Sequence, residues 1–350
     1  MIYNVMSTNK VNNLPSPSGE DEKGAFIKSQ DTEEWQDIVF TRPLGLLIAK
    51  AYNHFDIHPN VVTIWGIFWG IIAGILMYWR TWPCTIAAIL LLIWANLHDS
   101  ADGQLARMTG KKSQIGRILD GLASDIWFLS IYVTIALRLT VQSGWGIWSW
   151  LLCSLAGFIC HAKQAQLSDY YRQIHLFFLK GKSGSELDNG QAQREKYVQM
   201  PWRGHLIEKT FQFFYANYCS VQEKMTPQFQ QFFAKVKALF GDDIPQSLRD
   251  EFRKGSLPLM KWTNILTHNT RANVLFLSLI ISMFTRPDLI WIYPTFEIIV
   301  LTALMFYMRY KHEMHCKQIT ASLPDPLPSR EREIDEDASP LRGDEKGAVL

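Results

Sequence analysis

The sequence lacks the features that mark several common protein classes. It has only five cysteines in 350 residues, and because they show neither paired nor metal-ligand spacing, we expect reduced packing residues. The net charge is only +2. There is no nucleotide-binding glycine loop, and the first thirty residues have no apolar core of signal-peptide length. We therefore expect neither signal cleavage nor a nucleic-acid partner.

Apolar residues, in contrast, are abundant and come in blocks. The chain is 48% hydrophobic and 13% aromatic. Residues 61–79 contain no ionisable side chain, and about 19 residues at a rise of ~1.5 Å nearly cross a ~30 Å hydrocarbon layer. Further apolar blocks lie at 84–97, 126–139, 145–160, 272–284 and 289–307. The sequence therefore predicts an all-α polytopic membrane protein with six transmembrane helices.

The distribution of Lys and Arg predicts the orientation of these spans. Residues 80–83, 140–144 and 285–288 form short connections, and most of the flanking positive residues, such as Lys111 and Lys311, lie on the opposite face. Positive residues next to spans are retained on the cytoplasmic side. With six spans, both termini and the Asp-rich segment described below are expected there.

The segments outside the spans differ in composition. Residues 1–30 and 322–350 are polar and rich in Pro, Gly or charge, so we expect disordered tails. Residues 33–52 mix apolar and charged residues at helical spacing, which predicts an amphipathic helix lying in the membrane interface. This helix and the first four spans occupy residues 31–164.

A long polar stretch, residues 165–270, separates the first four spans from the last two, which occupy 271–321. We expect a helical cytoplasmic insertion. It contains two Phe-rich amphipathic helices, 206–225 and 227–240, broken at Pro227. Exposed apolar faces beside a membrane predict binding to the cytoplasmic leaflet or to a second subunit.

Four aspartates lie beside these apolar blocks: Asp99, Asp102, Asp120 and Asp125. An ionised Asp at bilayer depth is costly unless it faces a polar cavity, a partner or a metal. For any single Asp, pairing with a nearby Lys or Arg is the simpler explanation. Asp99 and Asp102, however, share one helix face, and Asp120 opens the next helix, so the three carboxylates can converge. Such an oxygen-only ligand set suits Mg²⁺, Mn²⁺ or Ca²⁺.

The residues around these aspartates suit a phosphate ligand. Gly103 and Gly116 permit close backbone approach, and Arg107 offers a planar fork to a phosphate. Two other features have plainer explanations. Glycines 66, 70 and 74 favour close helix packing, and Glu297 could line a lipid-acceptor cavity or pack against a polar neighbour.

The spacing of these residues resembles the signature of the CDP-alcohol phosphotransferase (phosphatidyltransferase) family, integral membrane enzymes with six transmembrane helices. The matching positions are Asp99, Asp102, Gly103, Ala106, Arg107, Gly116 and Asp120. The run from Pro59 to Thr63 is similar to the Pro-Asn-x-x-Thr element that begins the family's first span. The resemblance covers roughly residues 33–160 and, more loosely, the last two spans.

The resemblance implies an activity and a site. Family members bind two divalent metals, Mg²⁺ or Mn²⁺, through aspartates that correspond to Asp99, Asp102 and Asp120. A fourth aspartate contacts one metal and acts as the base. The residues implied for binding the CDP-linked donor are Asn60, Thr63, Gly103, Ala106, Arg107 and Gly116. An alcohol acceptor would attack the distal phosphorus and release CMP. The resemblance also implies a homodimer, and we expect a bacterial inner (plasma) membrane.

The fourth aspartate departs from the family pattern, which places it at position 124, where this chain has Ser124 followed by Asp125. On a regular helix Asp125 would point about 140° away from Asp120. We predict a widened, π-type turn, permitted by Gly121, that returns Asp125 to the metals as base and ligand. The competing interpretation keeps a regular helix, makes Ser124 a neutral ligand and pairs Asp125 elsewhere.

Several functions stay open at this point. The donor is either CDP-diacylglycerol, with a soluble polyol as acceptor, or a CDP-linked head group, with diacylglycerol or a ceramide-like lipid as acceptor. The pair Gln104-Leu105 favours the first. An ion- or proton-coupled transporter would spread its carboxylates along a pathway, whereas these cluster. An inactive lipid-binding relative is favoured only by the shifted Asp125.

Overall fold

The computed structural model describes residues 29, 31–111, 114–185 and 187–325, and every regular element in these residues is helical. The predicted tails, 1–30 and 322–350, lie almost entirely outside the described residues. The α-helices are α1 Arg42–His54, α2 Pro59–Leu76, α3 Trp82–Thr109, α4 Gln114–Ser143, α5 Ile147–Ser154, α6 Ala162–Lys180, α7 Gly190–Gln199, α8 Leu206–Met225, α9 Pro227–Phe240, α10 Gln246–Ile265, α11 His268–Phe284, α12 Ile292–Phe296 and α13 Thr302–Ser322.

Short π-helical and 3₁₀ segments connect several of these helices. The π-helical segments Asp37–Thr41, Leu155–His161 and Glu297–Leu301 precede α1, α6 and α13. The 3₁₀ turns are Lys182–Gly184 and Pro287–Trp291. As a result α5 runs on into α6, and α12 into α13.

Four helical segments are long and apolar enough to cross a membrane: Pro59–Leu76, Trp82–Thr109, Leu119–Ser143 and Pro287–Ser322. The chain is therefore an integral membrane protein. The other two predicted spans correspond to α5, which continues into a polar helix, and to α11, which has 17 residues. The count of six spans stays a prediction.

Glycines on α2 set the packing of the first spans. Helix α2 packs against α3 and α4. A Cβ at Gly70 would collide with the indole of Trp127, and one at Gly74 would collide with Ser130. Both partners lie on α4, so these glycines bring the helices together, as the sequence predicts.

The segment before α2 packs on the C-terminal end of α3. A Cβ at Gly45 of α1 would lie 2.7 Å from the Ser100 hydroxyl, and Gln104 Nε2 donates to the Arg42 carbonyl at 3.1 Å. These two contacts fix α1 beside the last turns of α3. The residues that begin α1 are thereby held beside the signature residues.

Residues 31–37 run across α6, α10 and α11. Asp31 accepts hydrogen bonds from His175 at 3.1 Å and from Arg253 at 3.2 Å. Glu34 accepts from Arg172 at 3.3 Å, from Asn269 at 2.8 Å and from Thr267. Burial is the largest influence on the Glu34 carboxyl and raises its pKa.

The two Phe-rich helices of the insertion have different environments. Phe229 and Phe232 of α9 are fully buried, and Phe232 stacks on Phe252 of α10 with ring centroids 5.4 Å apart. On α8, Phe213 and Phe214 are exposed. The prediction that the apolar face of 227–240 binds a leaflet or a second subunit is therefore wrong, because that face packs inside the chain. The same prediction for 206–225 stays open.

Candidate active site

The C-terminal end of α3 buries one carboxylate of the predicted set. Asp102 is 4% exposed and accepts a hydrogen bond from the Thr63 hydroxyl of α2. Asp99, one turn earlier, is half-buried. Thr63 belongs to the Pro-Asn-x-x-Thr element, and the structure gives it a partner within the protein. Asn60 lies in the first turn of the same helix and is half-buried.

Helix α4 brings a third carboxylate to this group. Asp99 and Asp120 both act electrostatically on Asp102, and Asp120 is exposed. Gly116 precedes Asp120 by about one helical turn on α4. Asp99 and Asp120 therefore lie close enough to Asp102 for their charges to act on it. In the part of the chain that the structure describes, however, no group of three His, Cys, Asp or Glu residues is arranged to hold a metal ion.

The donor atoms of this region nevertheless suit a divalent cation. All three residues offer carboxylate oxygens, which Mg²⁺ and Mn²⁺ prefer. Asp102 is buried next to two like charges, and its hydrogen-bond donor, the Thr63 hydroxyl, carries no positive charge. Like charges at a buried position disfavour ionisation unless a cation compensates them. The donor atoms of Asp99, Asp102 and Asp120 are therefore of the type that a divalent cation binds.

Asp125 does not join this group. Helix α4 is a regular α-helix from Gln114 to Ser143, so the predicted widened turn between Asp120 and Asp125 is wrong. The helix period then directs the two carboxylates about 140° apart. Asp125 is exposed, and the charged group that acts on it is Arg271 of α11. Ser124, at the family position of the fourth aspartate, is half-buried.

Asp125 lies instead on the wall of an apolar cavity of about 740 Å³ between α4 and α5. Polar side chains on this wall come from Asp125, Tyr132, Ser154 and His161, and Phe214 of α8 completes the lining. The competing interpretation, a regular helix with Asp125 elsewhere, describes this geometry.

Arg107 has one cation and three anions around it. Arg42, Glu33, Asp120 and Asp102 are the charged groups that act on it. A Cβ at Gly103 would lie 3.4 Å from Arg107 Nη1, so the glycine leaves space beside the guanidinium. Ala106, the neighbouring signature position, is half-buried.

Sequence reasoning missed Arg42 and Glu33. Arg42 donates through Nε and Nη2 to the Glu33 carboxylate at 3.0–3.2 Å, and this pair lies beside Arg107. No local signal could have shown this, because Glu33 precedes the first helix and Arg107 is 65 residues after Arg42. Only the packing of α1 on α3 brings the three together.

His98 connects α1 and α3 next to the site through two hydrogen bonds. Its Nδ1 donates to the Trp94 carbonyl at 2.9 Å, because a carbonyl can only accept. Its Nε2 then accepts from the Tyr52 hydroxyl at 2.9 Å. His98 therefore ties α1 to α3, which agrees with a supporting role and not a ligand role.

Glu297 pairs with Arg271. Arg271 Nε lies 3.1 Å from Glu297 Oε1, and both side chains are almost fully buried. Gln164 accepts from Arg271 Nη2 at 2.7 Å and donates to the Glu297 carbonyl at 2.9 Å. The polar-neighbour explanation of Glu297 is therefore the one the structure supports.

Comparison with known proteins places the signature in a family. An uncharacterized protein of Aquifex aeolicus (strain VF5) is similar to the chain, at 33% identity over 73 residues. The aligned part is 21% of this chain and 36% of that protein, so the chain spans about a third of this relative's length. No solved structure matches the chain. Residues 56–176, which contain the carboxylate group and Arg107, match the family model of the CDP-alcohol phosphatidyltransferases, a family of phospholipid head-group transferases that are in general metal-dependent. The resemblance predicted from the signature is therefore confirmed over this part of the chain.

Proposed function

We propose that this protein is a membrane enzyme of phospholipid synthesis that transfers a substituted phosphate from a CDP-linked donor to an alcohol. The observation that carries the proposal is the buried Asp102, held by Thr63 and acted on by Asp99 and Asp120, with Arg107 nearby. Three carboxylates and a guanidinium at the end of a span are the groups that a pyrophosphate and its cations require.

The reaction would be an in-line displacement at phosphorus. The acceptor oxygen forms a new bond to the distal phosphorus of the donor, the bond to the bridging oxygen breaks, and CMP leaves with that oxygen. The acceptor hydroxyl gives its proton to solvent water. A divalent metal held by Asp99, Asp102 and Asp120 would stabilise the negative charge on entering and leaving oxygens.

The residues of the chain bind and orient the donor. Arg107 would pair with phosphate oxygens, and Gly103 and Ala106 would leave room for the donor beside it. Thr63 orients the Asp102 carboxylate, and Asn60 and Gly116 would border the donor site. The displaced Asp125 has no part in this site, and Ser124 would act as a neutral group at the fourth position.

CDP-diacylglycerol as donor and a soluble polyol as acceptor remain the favoured substrates, on the basis of Gln104-Leu105. The site and both termini would lie on the cytoplasmic side of a bacterial inner membrane, and the enzyme would work as a homodimer. An inactive, lipid-binding relative is the second candidate, because Asp125 faces an apolar cavity.

The test is CMP release by the full chain in detergent. Radiolabelled CDP-diacylglycerol and, separately, CDP-ethanolamine are supplied with Mg²⁺ or Mn²⁺ and a panel of soluble and lipid alcohols. Metal-dependent CMP release that needs an acceptor supports the proposal, and the active donor identifies the transferred group. Full turnover in EDTA, or no release from either donor, would reject it.

A further inference from the structure

A second guanidinium, that of Arg42, lies next to the signature arginine. Arg42 is the first residue of α1, Arg107 is near the end of α3, and the two charges act on each other. Arg42 lies outside residues 56–176, the segment that matches the family. Two cations close together repel each other, so their proximity favours binding of an anion.

The two edges of the Arg42 side chain differ. Nε and Nη2 donate to the Glu33 carboxylate, which is only 6% exposed. Nη1 has no hydrogen-bond acceptor in the described part of the chain. Glu33 therefore fixes the plane of the guanidinium through one edge and leaves the Nη1 donors for a ligand.

The backbone at Arg42 is fixed as well. Gln104, which lies three residues before Arg107 on α3, donates to the Arg42 carbonyl at 3.1 Å. Gly45 lets α1 approach α3 closely, since a Cβ at this position would lie 2.7 Å from the Ser100 hydroxyl. Helix packing therefore holds the backbone of Arg42 beside the part of α3 that carries Arg107.

We propose that Arg42 and Arg107 together bind the diphosphate of an anionic ligand, with Glu33 as the residue that positions Arg42. The identity of the ligand as a CDP-linked donor rests on the proposed function. A planar guanidinium binds two phosphate oxygens at once, so two of them suit a diphosphate better than one phosphate. Arg42 is thus a binding residue contributed by the segment before the first span.

The experiment measures binding by calorimetry with the full chain in detergent and Mg²⁺. The probes are CDP and, separately, inorganic pyrophosphate. Arg42→Gln should weaken both by about tenfold or more, because it removes a charge-assisted hydrogen bond. The affinity of Arg42→Lys should lie between those of the wild type and Arg42→Gln, since lysine keeps the charge but lacks the planar fork. The control Lys50→Gln removes an exposed charge from the same helix and should change affinity by less than about twofold.

Glu33→Gln separates positioning from simple electrostatics. Removing a negative charge near an anion site would by itself tighten anion binding. The positioning role instead predicts weaker binding, because Arg42 loses its bidentate partner. Tighter binding in Glu33→Gln would overturn the positioning role of Glu33.

The outcomes distinguish this inference from the proposed function. Unchanged affinity of a folded Arg42→Gln for both probes, or no binding of either probe by the wild type, overturns the inference. If the melting temperature of Arg42→Gln differs from that of the wild type, the affinities of Arg42→Lys and Glu33→Gln for the two probes test the inference instead. Pyrophosphate binding that depends on Arg42, without CMP release from any donor, supports the anion site and rejects the proposed function. CMP release, together with probe binding that is the same in Arg42→Gln and the wild type, supports the proposed function and rejects the anion site.

Discussion

Asp102 and Asp125 lie on adjacent spanning helices, and they differ in exposure, in hydrogen bonding and in the charges that act on them. Asp102 is buried, held by Thr63 and close to two further carboxylates. Asp125 is exposed on an apolar cavity wall, and the charge that acts on it is that of Arg271. One residue of displacement along a regular helix turns a side chain by about 100°, which is enough to move a carboxylate from one region to another.

The largest effect expected from this difference is that of Asp102→Asn. The amide keeps the size of the side chain and can still accept from Thr63, but it removes the buried charge. CMP release should fall by about 10²–10³-fold, as for the loss of one preorganised charge-stabilising group. A steady-state assay at saturating donor checks it. Activity above a tenth of the wild-type rate would contradict it.

A gain is expected from restoring the family position. Ser124 is four residues after Asp120 and therefore on the same helix face. Ser124→Asp should raise CMP release by about tenfold or more, because a positioned base commonly contributes ~10²–10⁴-fold. Ser124→Asn is the matched control, with similar size and no charge. An equal response of the two variants would show that position 124 does not act through its charge.

Asp125→Asn should change much less. The amide preserves the cavity wall, so turnover should stay within about threefold of the wild type. The assay is the same CMP release. A loss as large as that of Asp102→Asn would mean that Asp125 reaches the reacting groups after all.

Asp31, outside the spans, offers a further carboxylate for comparison, and here the expected effect is smallest. Burial is the largest influence on Asp31 and opposes ionisation, but hydrogen bonds from His175 and Arg253 outweigh it and lower its pKa. Burial lowers the pKa of His175 below its ordinary value of 6.5. In both cases the unfolded chain binds protons more tightly.

Stability should therefore decrease as pH falls through about 6.5, where unfolded His175 gains its proton, and further at the acidic pH where Asp31 is protonated. His175→Gln can still donate to Asp31 and accept from Ser256. Thermal melting between pH 7.5 and 5.5 should show a Tm decrease for the wild type that is larger by a few degrees than for the variant. Equal decreases would contradict this role of His175.

The sequence predicted the features that depend on local pattern. The apolar runs of α2 and α3 could be predicted because the bilayer requires an apolar side chain at almost every position. The role of the glycines of α2 could be predicted because close helix contact requires small residues. Helix spacing also predicted that Asp99 and Asp120 lie near Asp102, and both charges act on it. Packing between distant segments was not readable. The burial of Phe229 and Phe232 needs Phe252 as a partner, and an amphipathic pattern does not reveal whether its apolar face meets protein or lipid.

The Asp125 prediction failed for a different reason. A π-type turn would have returned Asp125 to the group, but a regular helix keeps every backbone hydrogen bond of α4 in the usual register, and Asp125 has a place beside the cavity. The prediction followed the family pattern, which requires a fourth aspartate at the site, although the period of a regular helix directs Asp125 away from it. Arg42 shows the opposite case, since it carries no family signal and is brought to Arg107 only by packing.

Manganese binding tests the central claim most directly, because it reports on the carboxylates without any turnover. Electron paramagnetic resonance of Mn²⁺ added to the full chain in detergent gives the bound fraction for wild type, Asp102→Asn and Asp125→Asn. We expect Asp102→Asn to weaken Mn²⁺ binding by about tenfold or more and Asp125→Asn to leave it unchanged. An equal loss of Mn²⁺ affinity in both variants, or an unchanged affinity in Asp102→Asn, would contradict the assignment of the metal to Asp99, Asp102 and Asp120.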